Sequence, residues 1–395
     1  MGSGPGFSSM EVHVKDSSAH RLSTQLERCQ EQPIQVAIGD LSSVEIANVL
    51  SILCSNNRAS SWSHISMPMS GYIFDCLRPY TGLFTGLRCL HLEGVMANDT
   101  EVDLDVFQNA PALVTVSIWG ENSDYLDDLK LPWSQITHYT ARDSQWFFVS
   151  NSFHFTTLRR LENLQVCWLD CVIAVSDNKL PASNPPILLP YLHTLTLSCS
   201  EPETEFLVEG LPQLIGHVTL PALHTLRLRN GLYDTLDPLL HLVERSGCRL
   251  HDLTLCALHS GDEEGVLSLM KSGLLKNVQR LWIGWRFEYE SETTWRESFD
   301  LRLLPPLVRT PDEDYLPNLQ YFQTNISDMD DTLITIVESR RSTGGRALEY
   351  LVLQDHGGWA PERLKKRRAE SKERFRELCD RGLRLEWRGP DSREG

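Results

Sequence analysis

Four side chains able to bind a metal crowd one short stretch: Cys248, His251, Cys256 and His259 follow one another as Cys-x2-His-x4-Cys-x2-His. Such spacings build zinc sites. The residues between them argue otherwise. Leu250-His251-Asp252-Leu253-Thr254-Leu255 alternates like a strand, and its steps of about 3.3 Å hold its ends roughly 17 Å apart. Ligands of one tetrahedral ion must lie within about 4 Å of each other. We therefore expect no metal site here. Histidine also recurs at His91, His193, His224 and His251, which invites a catalytic reading. His193, His224 and His251 share the frame Leu-His-x-Leu-x-Leu, so they are expected to stack as a column on the surface. No Gly-x-Ser-x-Gly elbow, His-Glu-x-x-His run or Gly-x-x-x-x-Gly-Lys phosphate cradle occurs. The expectation is a protein that is not an enzyme and needs no cofactor. A hydrolase-type site assembled only in space is the alternative.

The elements that must position these residues are legible in the same frame. Leu192-His193-Thr194-Leu195-Thr196-Leu197 returns as Leu223-His224-Thr225-Leu226-Arg227-Leu228 and as the 250–255 stretch. Positions 4 and 6 alternate like a strand with one buried face, and position 1 closes the turn before it. The frame recurs with position 4 at Ile65, Leu90, Val116, Tyr139, Leu164, Leu195, Leu226, Leu253, Leu281, Phe322 and Leu351. The mean spacing is roughly 29 residues, as expected for a leucine-rich repeat. The predicted fold is α/β: a curved leucine-rich-repeat solenoid with parallel strands on the concave face and helices with irregular loops on the convex one. Strands about 4.8 Å apart cannot match helices needing 8–10 Å unless the sheet curves.

Composition bounds the partners. The formal charge of −16 over 395 residues argues against nucleic acid, which wants a basic stripe. No apolar run approaches the roughly 20 residues of a membrane helix, and no basic-then-apolar leader opens the chain. The ten scattered cysteines then read as reduced thiols of a cytoplasmic or nuclear protein.

In chain order we expect a tail at 1–9, a capping segment at 10–60, the repeats at 61–360, and a capping helix with a last strand at 361–395. Strands are expected at 33–38 and 383–387. Helices are expected at 41–54, 73–77, 104–107, 236–243, 265–269, 333–337 and 361–381. Two excursions break the rhythm: the proline-rich 176–190, and 286–317 with its acidic turn Pro311-Asp312-Glu313-Asp314. The second is a candidate partner contact, because long loops in compact arrays are often functional. Function is otherwise expected on the concave face, at positions 3, 5 and 7. There the frame puts Trp119, Arg142 and Arg229 at position 7, and Arg227, Trp282 and Gln165 at position 5. Trp168 and Trp285 fall at position 8, the strand edge. Tryptophan and arginine are enriched at interface hot spots, and the arginines favour an acidic or phosphorylated partner segment.

Leu131-Pro132-Trp133-Ser134-Gln135-Ile136-Thr137 and Ser246-Gly247-Cys248-Arg249-Leu250 resemble the repeat portion of the F-box proteins of mushroom-forming fungi, and Leu26-Glu27-Arg28-Cys29 resembles the segment that follows the F-box in them. The resemblance implies a protein-protein interaction module: the substrate receptor of a cullin-type ubiquitin ligase, in which the F-box docks the adaptor and the repeats hold the substrate. These residues contain no Leu-Pro-x-Glu-opened F-box. The asparagine or cysteine of a regular repeat is also missing at position 9, where Ser70, Val95, Ser200, Gly231 and Leu258 stand. Irregular convex connections are the expected consequence.

Overall fold

The computed structural model describes residues 10–13, 22–24, 26, 32–39, 43–94, 103–119, 128–142, 151–170, 186–198, 210–229, 235–258, 262–285, 303–310, 312–325, 330–342, 347–354, 371 and 373–388. The fold is mixed α/β, and its contacts group into two compact units, residues 1–192 and 193–395. In the first, the strands Met10–His13, Ile34–Ala37, Trp62–Pro68, Cys89–Glu93, Thr115–Trp119, His138–Arg142 and Val166–Asp170 lie side by side in chain order, all parallel. In the second, Thr194–Ser198, Thr225–Arg229, Asp252–Leu258, Arg280–Trp285, Tyr321–Thr324, Tyr350–Gln354 and Arg384–Arg388 do the same. Both sheets are open.

The register follows the hexamer. Ile65, Leu90, Val116 and Tyr139 stand in line across the first unit, and Leu195, Leu226, Leu253, Leu281, Phe322 and Leu351 across the second. All are buried, as are their position-6 partners Leu92, Ile118, Leu197, Leu228 and Ile283. Residues two apart share a face of a strand, so positions 3, 5 and 7 line the opposite, open face.

A turn sets the frame in place. In Leu220-Pro221-Ala222-Leu223, the Leu223 amide donates to the Leu220 carbonyl at 3.1 Å, and proline suits the second turn residue because its φ is fixed near −65°. The same closure occurs at Ala110–Leu113 (3.2 Å), Leu189–Leu192 (3.3 Å) and Leu316–Leu319 (3.1 Å), each with proline second. Phe84–Leu87, Leu161–Leu164 and Leu275–Val278 close it at 3.3, 3.2 and 2.9 Å without proline. An apolar residue three before position 1 thus belongs to the repeat. This anchor corrects one frame. Leu161 opens the turn, Leu164 is position 1, and position 4 is Cys167, which pairs with Tyr139. The hexamer read at 161–166 was three residues early. Trp168 therefore lies at position 5, opposite Thr140, and Gln165 at position 2.

The connections carry helices at Ser43–Cys54, Gly71–Leu77, Asn151–Arg160, Gly210–His217, Leu236–Ser246, Glu263–Lys271 and Asp330–Ser342. The amphipathic pattern of Leu236–Ser246 is the clearest, burying Leu236, Leu239, Leu242 and Val243 and stopping at Gly247 with φ 59°. That left-handed cap favours glycine. The helix expected at 104–107 is instead an irregular stretch and a turn. The helices Asn151–Arg160 and Gly210–His217 were not anticipated. The first reads as polar, since His154 and Thr157 occupy buried positions on it. Of the expected C-terminal helix, 361–370 lies outside the described residues, while 373–380 is helical and buries Phe375 and Leu378. The basic run Lys365–Arg368 is likewise outside them.

Side-chain donors tie neighbouring connections together. At position 0, Gln135 Nε2 donates to Ala110 O (2.7 Å) and Leu113 O (2.9 Å), Asn163 Nδ2 to Ser134 O (2.7 Å), and Asn318 Nδ2 to Lys276 O (2.8 Å). Each reaches back to the preceding repeat. Arg245 Nη2 covers Ile215 O and Val218 O at 2.9 and 2.6 Å.

The described part of the 286–317 excursion buries its leucines and exposes Pro305, Thr310, Asp312 and Glu313. Leu303, Leu304, Leu307 and Leu316 are 0–1 % exposed. The acidic turn is tied inward: Arg309 Nε donates to Asp314 Oδ2 at 2.6 Å, and buried Arg340 approaches Oδ1 at 3.8 Å. Its Trp295 and Phe299 lie outside the described residues. So does 176–185 of the proline-rich excursion, whose end buries Ile187 and Leu189 and exposes Leu188. No helix among the described residues is long and apolar enough to cross a membrane.

Candidate recognition surface

On the open face of the first unit, four side chains form a ladder across adjacent strands. His91 meets the Trp119 ring edge-on at 4.8 Å between centroids. The Arg142 guanidinium lies 3.5 Å from the centroid of the Trp168 ring and 5.2 Å from that of Trp119. Register explains the contacts, because Trp119 pairs with Arg142 and Thr140 with Trp168. Two carboxylates flank the ladder and both are engaged. Glu93 Oε1 sits 2.5 Å from His91 Nε2, and Asp170 Oδ1 accepts from Trp168 Nε1 at 3.0 Å. Arg142 has no ion pair or hydrogen bond among the described residues, and its Nε is buried without an acceptor. A cation stacked on aromatic rings keeps its in-plane N–H donors, which suit a bidentate carboxylate or phosphate.

The second unit holds the other candidates. Arg227 stands at position 5 between Thr196 and Thr254, half-buried, and it too has no anionic partner among the described residues. Arg229, two residues on, shares its face. Trp282 pairs with Thr254, one strand beyond. Its indole Nε1 is buried without an acceptor, and a Cβ on Gly284 would stand 3.3 Å from that nitrogen. The indole therefore lies along the sheet over Gly284. Toward the last strand the face satisfies itself. Tyr321 and Tyr350 stack at 5.2 Å, with Arg280 5.0 Å from the Tyr321 ring centroid. Glu386 accepts from Arg388 Nε at 2.8 Å and from the Tyr350 hydroxyl at 2.9 Å. These two bonds hold the Glu386 carboxyl below the usual carboxylate range.

Of the five residues expected on this surface, Trp119 and Arg142 meet in the first unit, while Arg227, Arg229 and Trp282 belong to the second. Trp168, assigned to a strand edge by the early frame, is the closest partner of Arg142. The turn anchor Leu161-x-x-Leu164 was the signal that placed it. For Trp285 only the strand position is described.

The predicted histidine column exists, at position 2 of the second unit. The His193 and His224 rings stack at 5.0 Å, 4° from parallel, and His224 and His251 at 6.3 Å and 26°. Burial, then the neighbouring His193 and His251, pushes the His224 pKa down, against a smaller opposing pull from Asp252. Around the Cys-His motif, His251 belongs to this exposed column, Cys256 to position 7 and Cys248 to the buried interior. Among the described residues no group of three or more His, Cys, Asp or Glu is arranged to hold a metal ion. Neither a protein-family model nor a curated protein sequence matches this chain.

Proposed function

We propose that this chain is a non-catalytic leucine-rich-repeat solenoid that recognises a protein partner, gripping an acidic or phosphorylated segment on its concave sheet face. The observation that carries the reading is Arg142, stacked between Trp168 and Trp119 with no anion of its own among the described residues. A guanidinium held over two indole rings keeps its in-plane donors, and a partner's anion completes it. Arg227 likewise has no anionic partner among the described residues. The curvature rests on the same mismatch between strand and helix spacings. The resemblance to fungal F-box proteins extends the proposal: the partner is a substrate delivered to a cullin-type ubiquitin ligase.

The test is a peptide array carrying acidic, phosphorylated and neutral sequences, probed with the full chain. Binding is expected to concentrate on the anionic peptides. Arg142→Ala, Trp168→Ala and Arg227→Ala should each weaken it by more than about 1 kcal/mol, roughly fivefold, with unchanged circular dichroism. Undiminished binding by all three variants overturns the surface. Turnover of an ester, phosphate or peptide substrate, abolished by one His→Ala or Ser→Ala change, overturns the non-catalytic reading. Recovery of a cullin complex by affinity capture supports the ligase role.

A further inference from the structure

The histidine column does nothing in that proposal, since position 2 is not on the open face. We propose that His193 and His224 form a surface site for a borderline divalent transition metal, copper(II) ahead of nickel(II) and zinc(II). Two observations carry it. First, the two rings belong to adjacent parallel strands in register, Thr194 pairing with Thr225, with centroids only 5.0 Å apart. Second, each ring has a threonine hydroxyl within hydrogen-bond distance of its Nδ1, the kind of outer oxygen that orients metal-binding imidazoles. His193 Nδ1 lies 3.0 Å from the Thr194 hydroxyl, and His224 Nδ1 lies 3.1 Å from that of Thr225. When Nδ1–H donates to an outer oxygen, the tautomer is set and the Nε2 lone pair points outward. Neither Nε2 has a partner among the described residues.

Geometry sets what the site requires. Two nitrogens bonded to one ion at about 2.0–2.1 Å lie roughly 3.3 Å apart, with their lone pairs converging. In the stack the rings are nearly parallel, so binding tilts the two Nε2 ends together. His224 is exposed and His193 half-buried, so this motion disturbs no core packing. Water completes the coordination shell. Two imidazoles without thiolate suit copper, nickel and zinc, with copper favoured by the general order of divalent affinities. His251, 6.3 Å from His224 and at a larger angle, stands aside from the pair.

The full chain, in buffer without chelating components, is titrated with copper(II) and separately with zinc(II) by calorimetry. Copper(II) is also followed by electron paramagnetic resonance. One equivalent of copper with coupling to two nitrogens is expected. His193→Gln and His224→Gln should each weaken binding at least about tenfold, while His251→Gln and His91→Gln leave it within about twofold. Affinity should fall in acid, where protons compete with the metal for the imidazole nitrogens. A signal unchanged in His224→Gln, or lost equally in His91→Gln, overturns the assignment, as does wild-type binding no tighter than that of the double variant.

Discussion

At the scale of single residues, neighbours in one hexamer have opposite fates. Leu226 is fully buried in the strand interior, while His224, two residues earlier, is exposed in a stack of rings. Removing the Leu226 side chain leaves a cavity, and Leu226→Ala should cost about 2–5 kcal/mol in urea unfolding. His224→Ala should stay within about 0.5 kcal/mol. Equal losses would mean that the faces are misassigned. The identity of the Arg142 partner shows the limit of counting along one strand. Trp119 and Arg142 were legible as position-7 residues, whereas Trp168 takes position 5 only when Leu161 is read as the opener of the turn, as the pairing of its strand bears out.

At the scale of elements, the connections are held by donors that no strand pattern announces. Arg340 projects from the Asp330–Ser342 helix into the interior at 1 % exposure, donating from Nε to Leu307 O at 2.8 Å and from Nη1 to Leu316 O at 2.7 Å. Burial lowers its pKa to about 10, opposed by Asp314 and assisted by Arg309, so it stays charged at neutral pH. Arg340→Ala strands two carbonyls and weakens the hold on Asp314, and should destabilise by about 3–5 kcal/mol. Arg374, 46 % exposed, lies 3.1 Å from Asp331 and 3.5 Å from Glu338. Arg374→Ala should cost no more than about 1 kcal/mol. Parallel urea melts of the two variants check the contrast. The segment around Asp314 illustrates what loop composition leaves open: Asp312 and Glu313 are exposed, while Asp314 is held by Arg309 and approached by buried Arg340 from another element.

At the scale of the whole molecule, acid stability has an identifiable contributor. His154 is completely buried in the first unit, and burial lowers its pKa to about 4, against a smaller opposing pull from the Asp170 backbone. The unfolded chain takes up this proton below about pH 6.5, whereas the folded one does so only near pH 4. Folding therefore excludes a proton across that window, and stability falls as pH drops from about 6.5 to about 4. The loss at the lower end is on the order of 3 kcal/mol for this group. Urea melts of His154→Gln should show a shallower pH slope over that range than the wild type. An identical slope would assign the acid sensitivity to other groups.

The sequence alone determined the repeat, its period and the buried face of the framed strands other than Val166–Asp170, because parity and apolar spacing act within a few residues. The turn anchor was legible too, in Leu220-Pro-Ala-Leu223 and its relatives, though it had to be read together with the hexamer to frame the strand at Val166–Asp170. Tertiary structure alone decided the rest. It set which side chains from different strands touch, as in the Arg142 stack. It placed His154 and Arg340 in the interior, and it let position-0 amides bond carbonyls one repeat back. Those outcomes depend on partners about 20 to 40 residues away, brought near by parallel pairing, and hydrogen bonding and desolvation are settled by such neighbours rather than by local pattern.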